Sequence, residues 1–224
     1  MASFSPIPLE EFEARTGIGP AHIAPAWGAA RNIVALRDLA RVEAVQAMPR
    51  DYLARLIANV GLEGRPDEKP YAGREIALLR ADPSSLLVAQ TFVERSKYRR
   101  ILENMSGVFD GFCMTRGIAK LTASIILGRD AAGAPCIAHY LPPLIEENGG
   151  RLVLLDGTHR CFLIKSVVTT IESVVIRGVT APFPCEPQPW ASVRQVDAKP
   201  PRPERFVELR PAFFRDVKRI GIDG

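Results

Sequence analysis

Histidine and cysteine are scarce in this chain, and their placement excludes several chemistries. Only His22, His139 and His159 are present, none with a second candidate ligand at helical spacing, which argues against a histidine-rich metal centre and predicts no protein-bound metal site. The four cysteines, Cys113, Cys136, Cys161 and Cys185, are widely scattered without a C-x-x-C pair and read as reduced thiols. No apolar run approaches the length needed to span a bilayer, so no membrane association is expected. Pro6 and Pro8 lead into Glu10, Glu11 and Glu13 where a signal segment would be apolar, so the expected location is the cytoplasm. Two glycine stretches also lack what a nucleotide loop needs. Gly17-Ile18-Gly19 has no third glycine and no preceding strand, and Gly128 to Gly133 continues as Ala134-Pro135 in place of the lysine and hydroxyl of a P-loop.

What is there is an ordinary globular composition. The chain has 224 residues, 47% hydrophobic and 24% charged, enough for a substantial core. The formal charge of +4 is uneven, because Lys199 to Gly224 holds seven basic and four acidic residues. The nearly neutral body disfavours a broad duplex-DNA footprint, which depends on many phosphate contacts. Basic residues between aromatics in FVELRPAFFRDVKRI leave weak nucleic-acid contact open. That segment is also amphipathic enough to dock on its own protein or on a second copy, which leaves a homodimer open.

Punctuation divides the chain into three. Residues 1–74 read as a helical N-terminal extension. Ile33, Leu36, Leu39, Ala40 and Val42 fit one helix; Tyr52, Leu53, Leu56, Ile57 and Val60 fit a second, stopped at Gly61. The loop LEGRPDEKPYAGR follows, and residues 75–180 then alternate strand and helix patterns. Expected strands lie at Ile76–Leu79, Cys136–Leu141 and Glu172–Ile176, with a packed helix or strand over Ile118–Leu127 and a loop over Leu141–Gly150. Residues 181–224 form a proline-rich wrap and basic tail. Seven prolines between Ala181 and Pro203 forbid a regular helix or a central strand, and Trp190 is the expected anchor.

The chemistry concentrates in RLVLLDGTHRCFLIK, residues 151–165. An apolar run suited to a buried strand stops at Asp156-Gly157. Three polar residues, Thr158-His159-Arg160, then precede Cys161, Phe162, Leu163 and Ile164, an apolar block suited to the inner face of a helix. A strand-to-helix corner presents backbone N–H groups and a partial positive charge to an anion. Here Gly157 allows close backbone approach, Thr158 can cap the helix or donate its hydroxyl, His159 supplies a group titrating near neutral pH, and Arg160 offers a planar fork for phosphate oxygens. The competing reading is an Asp-Gly hairpin with Thr158 starting a return strand. Four consecutive apolar residues speak against it, because a half-exposed strand alternates.

Strand, DG-x-HR, then helix resembles the phosphate-binding corner of the ParB/sulfiredoxin-like superfamily, whose G-x-HR motifs bind nucleotide phosphates. The resemblance implies an α+β (mixed α/β) fold, with a core of a small mixed sheet flanked by helices. VAQTFVER, residues 88–95, is similar to that superfamily's first strand and following loop, where related free-serine kinases carry a catalytic glutamate. Glu94 matches that position. It fits both as a general base and as an acid leading the helix expected over 96–105, whose face carries Lys97, Arg99 and Arg100.

The resemblance implies an ATP-dependent phosphotransferase acting on a small hydroxyl-bearing molecule. ATP or another nucleoside triphosphate would be held by Gly157, Thr158, His159 and Arg160, with Mg2+ bridging its phosphates and Glu94, Asp156 and His159 as the catalytic candidates. Sulfiredoxin chemistry fits less well, because it needs a cysteine directly before the motif histidine and Thr158 stands there. The alternative is a nucleotide-gated ParB-like DNA-binding or regulatory module without phosphotransfer, although too little chain follows the motif for the helix-turn-helix such proteins carry.

Overall fold

Pairing with strands remote in sequence governs the N-terminal part of the chain more strongly than helical spacing does. The structure, a computed structural model, describes residues 4–19, 22, 29–97, 120–166 and 168–222. Within them the chain divides into two compact units: Met1–Gly73 with Thr122–Leu141 and Arg215–Gly224, and Arg74–Leu121 with Pro142–Phe214. The expected helix lies beyond Lys97 outside the described residues, and so does Arg116, which with Gly117 reads from sequence as a surface charge or a weak candidate for a phosphate or carboxylate contact.

In the first unit, β1 (Ile7–Pro8) leads into α1 (Leu9–Thr16), whose first turn carries Glu10 and Glu11 and whose end is a left-handed Gly17. The helix expected around residues 33–42 is not formed. In its place come β2 (Asn32–Val34), a 3-10 turn at Leu36–Asp38, and β3 (Arg41–Ala47). The spacing of 33, 36, 39 and 40 imitates a helix, but strands remote in sequence decide the outcome. The second expected helix exists as α2 (Arg50–Ala58), burying Tyr52, Leu53, Leu56 and Ile57. The short β4 (Gly61–Leu62) pairs with residues near the C-terminus.

The strands β8 (Ser124–Arg129) and β9 (Pro135–Tyr140) complete this unit's sheet, in the order β1-β2-β9-β8-β3. β9 runs parallel to β2 through Ile33↔Ile137, and β8 runs antiparallel to β3. A span expected to belong to the 75–180 core therefore lies in the N-terminal unit, whose strands supply its hydrogen-bond partners. The P-loop-like Gly128–Gly133 is the β8–β9 hairpin end, where the Asp130 carboxylate accepts the N–H groups of Ala132 and Ala134 at 2.9 Å.

The second unit is built on the sheet β5-β12-β10-β11-β6: β5 (Glu75–Ala81), β12 (Ile171–Val179), β10 (Leu144–Asn148), β11 (Arg151–Asp156) and β6 (Leu87–Val88). Parallel and antiparallel pairings both occur, so the sheet is mixed, and with the helix Thr158–Ile164 the unit is of the α+β class. β10 replaces the loop expected over Leu141–Gly150. Its Glu146 and Glu147 look like loop residues, yet Glu146 is fully buried with the Asn148 amide donating to its carboxylate at 2.7 Å. Gly149 and Gly150 take φ of 57° and 74°, the left-handed pair a two-residue hairpin requires.

Side chains alternate across this sheet into two apolar layers. Ile145, Leu154 and Val175 face one, with Val88, Cys161, Ile164 and Ile171; Val153 faces the other, with Ala89, Phe183 and Cys185. The proline-rich segment crosses in bends, isolated bridges and the short β13 (Arg194–Val196), which pairs parallel with β7 (Phe92–Glu94). Trp190 anchors it by donating its indole N–H to the Pro83 carbonyl at 2.8 Å and packing 6.0 Å from the Phe162 ring. The segment over Phe206–Ile220 forms no amphipathic helix; it is made of 3-10 turns and the two-residue β14 (Arg215–Asp216). Among the described residues no helix is long and apolar enough to cross a membrane.

Candidate functional site

The corner at residues 156–160 forms because three local demands agree. Leu154 must face the apolar layer, and Asp156 ends the strand just past an irregularity in the β10–β11 register. Gly157 then turns the chain at φ 91°, a region L-residues avoid, and α3 (Thr158–Ile164) starts immediately. Cys161 and Ile164 drop into the layer that holds Leu154. The Cys161 N–H closes the first turn on the Gly157 carbonyl at 2.9 Å. The hairpin reading is excluded.

Two expected roles at the corner change. Gly157, not Thr158, is the N-cap, with no side-chain capping bond, and Thr158 is the buried first helical residue. Nor does the missing Cβ of Gly157 make room for a ligand, because a methyl there would meet Cα and Cβ of Pro143 at 3.0 Å. The glycine is required by the turn and by Pro143.

The third change concerns His159. Its Nε2 accepts the Glu94 backbone N–H at 2.9 Å, and the ring stands edge-on to Phe92 with centroids 6.3 Å apart. An accepting Nε2 places the proton of the neutral ring on Nδ1. Burial pushes the imidazole down to about 4, with the Lys97 ammonium acting in the same direction, Glu94 and Asp156 opposing it, and Lys199 adding a smaller push down. His159 is therefore neutral at physiological pH and does not titrate there. Charge toward an anion has to come from other residues.

That charge surrounds the ring. Arg160 donates from Nη2 to the Asp156 carboxylate at 3.2 Å; the pair is largely shielded, the side chains 14% and 23% exposed. Lys97 follows Glu94 by three residues, and Lys199 comes from the proline-rich segment. The Glu94 carboxylate is half-buried and accepts the Ser96 hydroxyl.

The structure thus brings together Glu94, Asp156, His159 and Arg160, all in the second unit, with Gly157 and Thr158 forming the corner beneath them. Asp156 acts as the partner that orients Arg160. Cys161, beside the motif, is fully buried and its thiol is pushed up to about 12 by that burial, so it is part of the packing. Reading the sequence misses Lys199 and Ser96: a lysine ahead of two prolines carries no local signal, and only the pairing of β13 with β7 brings its segment here.

The corner thus gathers the Arg160–Asp156 pair and the Glu94 backbone, with Lys97 and Lys199 acting on the His159 ring by charge. Among the described residues no group of three or more His, Cys, Asp and Glu side chains is placed to hold a metal ion. Comparison of the chain with family models, with curated proteins and with solved structures found no match.

Proposed function

We propose that this chain is a nucleotide-phosphate-binding enzyme of the ParB/sulfiredoxin-like type, an ATP-dependent phosphotransferase acting on a small hydroxyl-bearing molecule. The observation that carries the reading is the hydrogen bond from the Glu94 N–H to His159 Nε2. It ties the backbone of Glu94, the candidate general base, to a strand-to-helix corner whose Arg160 is already oriented by Asp156.

The residues present fit a phosphate-bearing ligand by charge. Arg160, Lys97 and Lys199 would meet the phosphates, and the first-turn N–H groups of α3 add their partial positive charge. ATP, when bound with Mg2+, would supply the phosphoryl group to be transferred. Glu94 would accept the proton of the acceptor hydroxyl, its carboxylate held in place by Ser96. Neutral His159 fixes the position of the Glu94 backbone relative to the corner, and burial removes the competing water that would loosen that bond.

Calorimetric titration with ATP and Mg2+ tests the reading. The intact protein is expected to bind, and Arg160→Ala to weaken binding by about tenfold to a hundredfold with the fold preserved. Because that variant leaves Asp156 unpaired, Arg160→Lys serves as a second probe, expected to recover part of the affinity. Equal affinity in all three proteins removes the phosphate site. Thermal unfolding with ATP, CTP and GTP in turn identifies the preferred base, since a ligand at a hundredfold above its Kd stabilises by about 2.7 kcal/mol. Binding without turnover on any hydroxyl-bearing acceptor favours the nucleotide-gated module over the kinase.

A further inference from the structure

The two five-stranded sheets have four edges between them, and three are blunted. β1 and β6 are two residues long, and β3 carries a register shift between Val42 and Ala44, a bulge that turns an edge away from an incoming strand. The fourth edge is β5. Its seven residues pair with β12 without a break, from Ala81 opposite Ile171 to Glu75 opposite Arg177. On its other side it meets no strand, and among the described residues the outward N–H and C=O groups of Glu75–Ala81 have no partner.

Nor do its side chains repel a further strand. Edges are guarded by unpaired charge, above all lysine, or by proline, and β5 has neither lysine nor proline. Its two charged residues are both paired to β12, Glu75 with Arg177 at 3.2 Å and Arg80 with Glu172 at 3.1 Å. Between them Ile76, Ala77 and Leu78 are half-buried and Leu79 is 37% exposed. A regular row of unmet backbone groups flanked by apolar side chains is a surface that one more strand completes.

We infer that β5 is a dimerisation edge, taken by β5 of a second copy of this chain running antiparallel about a two-fold axis. The strand's own sequence favours that occupant. A two-fold axis normal to a sheet keeps each face on its own side, so it passes through a residue paired with its own copy. An axis at Leu78 pairs the whole strand: Ala77 with Leu79, Ile76 with Arg80 and Glu75 with Ala81, while the flanking Arg74 meets Asp82, an opposite charge, at both ends. Moving the axis to Ala77 sets Arg74 against Arg80, and moving it to Leu79 sets Glu75 against Pro83, which has no N–H to give. The product is one sheet continuous through both copies. β12 and β10 separate this edge from β11 and its corner, so the inference is independent of the phosphate reading.

Sedimentation equilibrium on the full chain over a wide range of concentration tests this, and the intact chain is expected to form dimers. Leu79→Lys alters a side chain that is already exposed and should weaken the dimer by at least about tenfold, because the two introduced charges lie diagonally across the shared ladder; a circular dichroism spectrum matching that of the intact chain excludes a folding defect. Arg160→Ala should leave the dimer unchanged. Cys136, Cys161 and Cys185 are buried, so in a Cys113→Ser background Leu78→Cys should cross-link two copies on oxidation, since paired Cα atoms of an antiparallel ladder stand about 4.5–5.5 Å apart, within disulfide reach. Ile76→Cys should not cross-link, its two copies being offset by roughly 13 Å at about 3.4 Å per residue. A chain that is monomeric at every concentration overturns the inference, and β5 amides protected from hydrogen exchange in that monomer would assign the edge to another segment of the same chain. A dimer that Leu79→Lys leaves intact is built on a different surface and overturns it as well. Cross-linking through Ile76→Cys in place of Leu78→Cys overturns the axis at Leu78.

Discussion

Each unit holds one histidine that accepts a hydrogen bond on Nε2, buried in the first and half-buried in the second, and the two bonds serve different ends. In the first unit, His139 accepts the Tyr52 hydroxyl on Nε2 at 2.8 Å and donates from Nδ1 to the Gly221 carbonyl at 3.2 Å. In the second, His159 accepts the Glu94 N–H on Nε2. Burial pushes both rings down to about 4. His139 is surrounded by Phe12, Tyr52 and Ile33, with burial also pushing the Tyr52 hydroxyl up, and its bonds hold the chain near its C-terminus to a sheet. His159 instead has Glu94, Lys97, Asp156 and Lys199 acting on it. A neutral, desolvated imidazole therefore says little about function by itself; the charges around it separate a packing device from a candidate site.

That contrast is sharpest in kinetics. Glu94→Gln should lower phosphotransfer by a factor of about 10²–10⁴ while sparing nucleotide affinity, measured as turnover beside calorimetric binding; turnover persisting in the variant would require another base. His139→Ala, in the other unit, should leave the properties of the corner unchanged but destabilise folding by about 2–4 kcal/mol in urea unfolding. It opens a cavity and strips the Tyr52 hydroxyl and the Gly221 carbonyl of a partner.

Acid should weaken the first unit by a similar amount. The folded pKa of His139 lies below its unfolded value of roughly 6.5, so the unfolded chain binds more protons between the two. Stability is then flat above about pH 7 and falls as pH drops through 6.5 toward 4, by roughly 3 kcal/mol for this one group. His139→Gln should flatten that slope in unfolding experiments at pH 7, 5.5 and 4. Nucleotide binding between pH 6 and 8 should show no inflection from His159, which is already neutral there.

The smallest effect expected is at the corner glycine. Gly157→Ala should cost about 1–2 kcal/mol, from the left-handed φ and the 3.0 Å approach to Pro143. A neutral result would mean that Pro143 yields easily, and would break the account of why glycine stands there.

How much of this could be read in advance differs from element to element. The β11–α3 corner was legible because its cues are local: an apolar run, Asp-Gly, and an apolar block with no alternation. Strands β5, β9 and β12 were legible for the same reason, each being a short β-branched or apolar run between turn residues. β10 was hidden by Glu146 and Glu147, since burial of an acid depends on a partner such as Asn148 and not on the acid. The strands β2 and β3 were mistaken for a helix because their apolar residues fit both periods, and pairing with β8 and β9, some ninety residues away, settled the choice. The neutral state of His159 was equally invisible, because desolvation is set by everything packed around the ring.

The sequence by itself determined where the chain must turn, which short runs must be buried, and that one bend would carry a glycine, a histidine and an arginine in succession. Those are properties of neighbouring residues and follow from backbone sterics and local hydrophobic pattern. Only the tertiary structure decided that β8 and β9 join the N-terminal strands, that the Glu94 backbone lies against His159, and that β13 of the proline-rich segment pairs with β7. Such contacts join segments tens of residues apart, and their free energy comes from strand pairing and desolvation that no single stretch of the chain encodes.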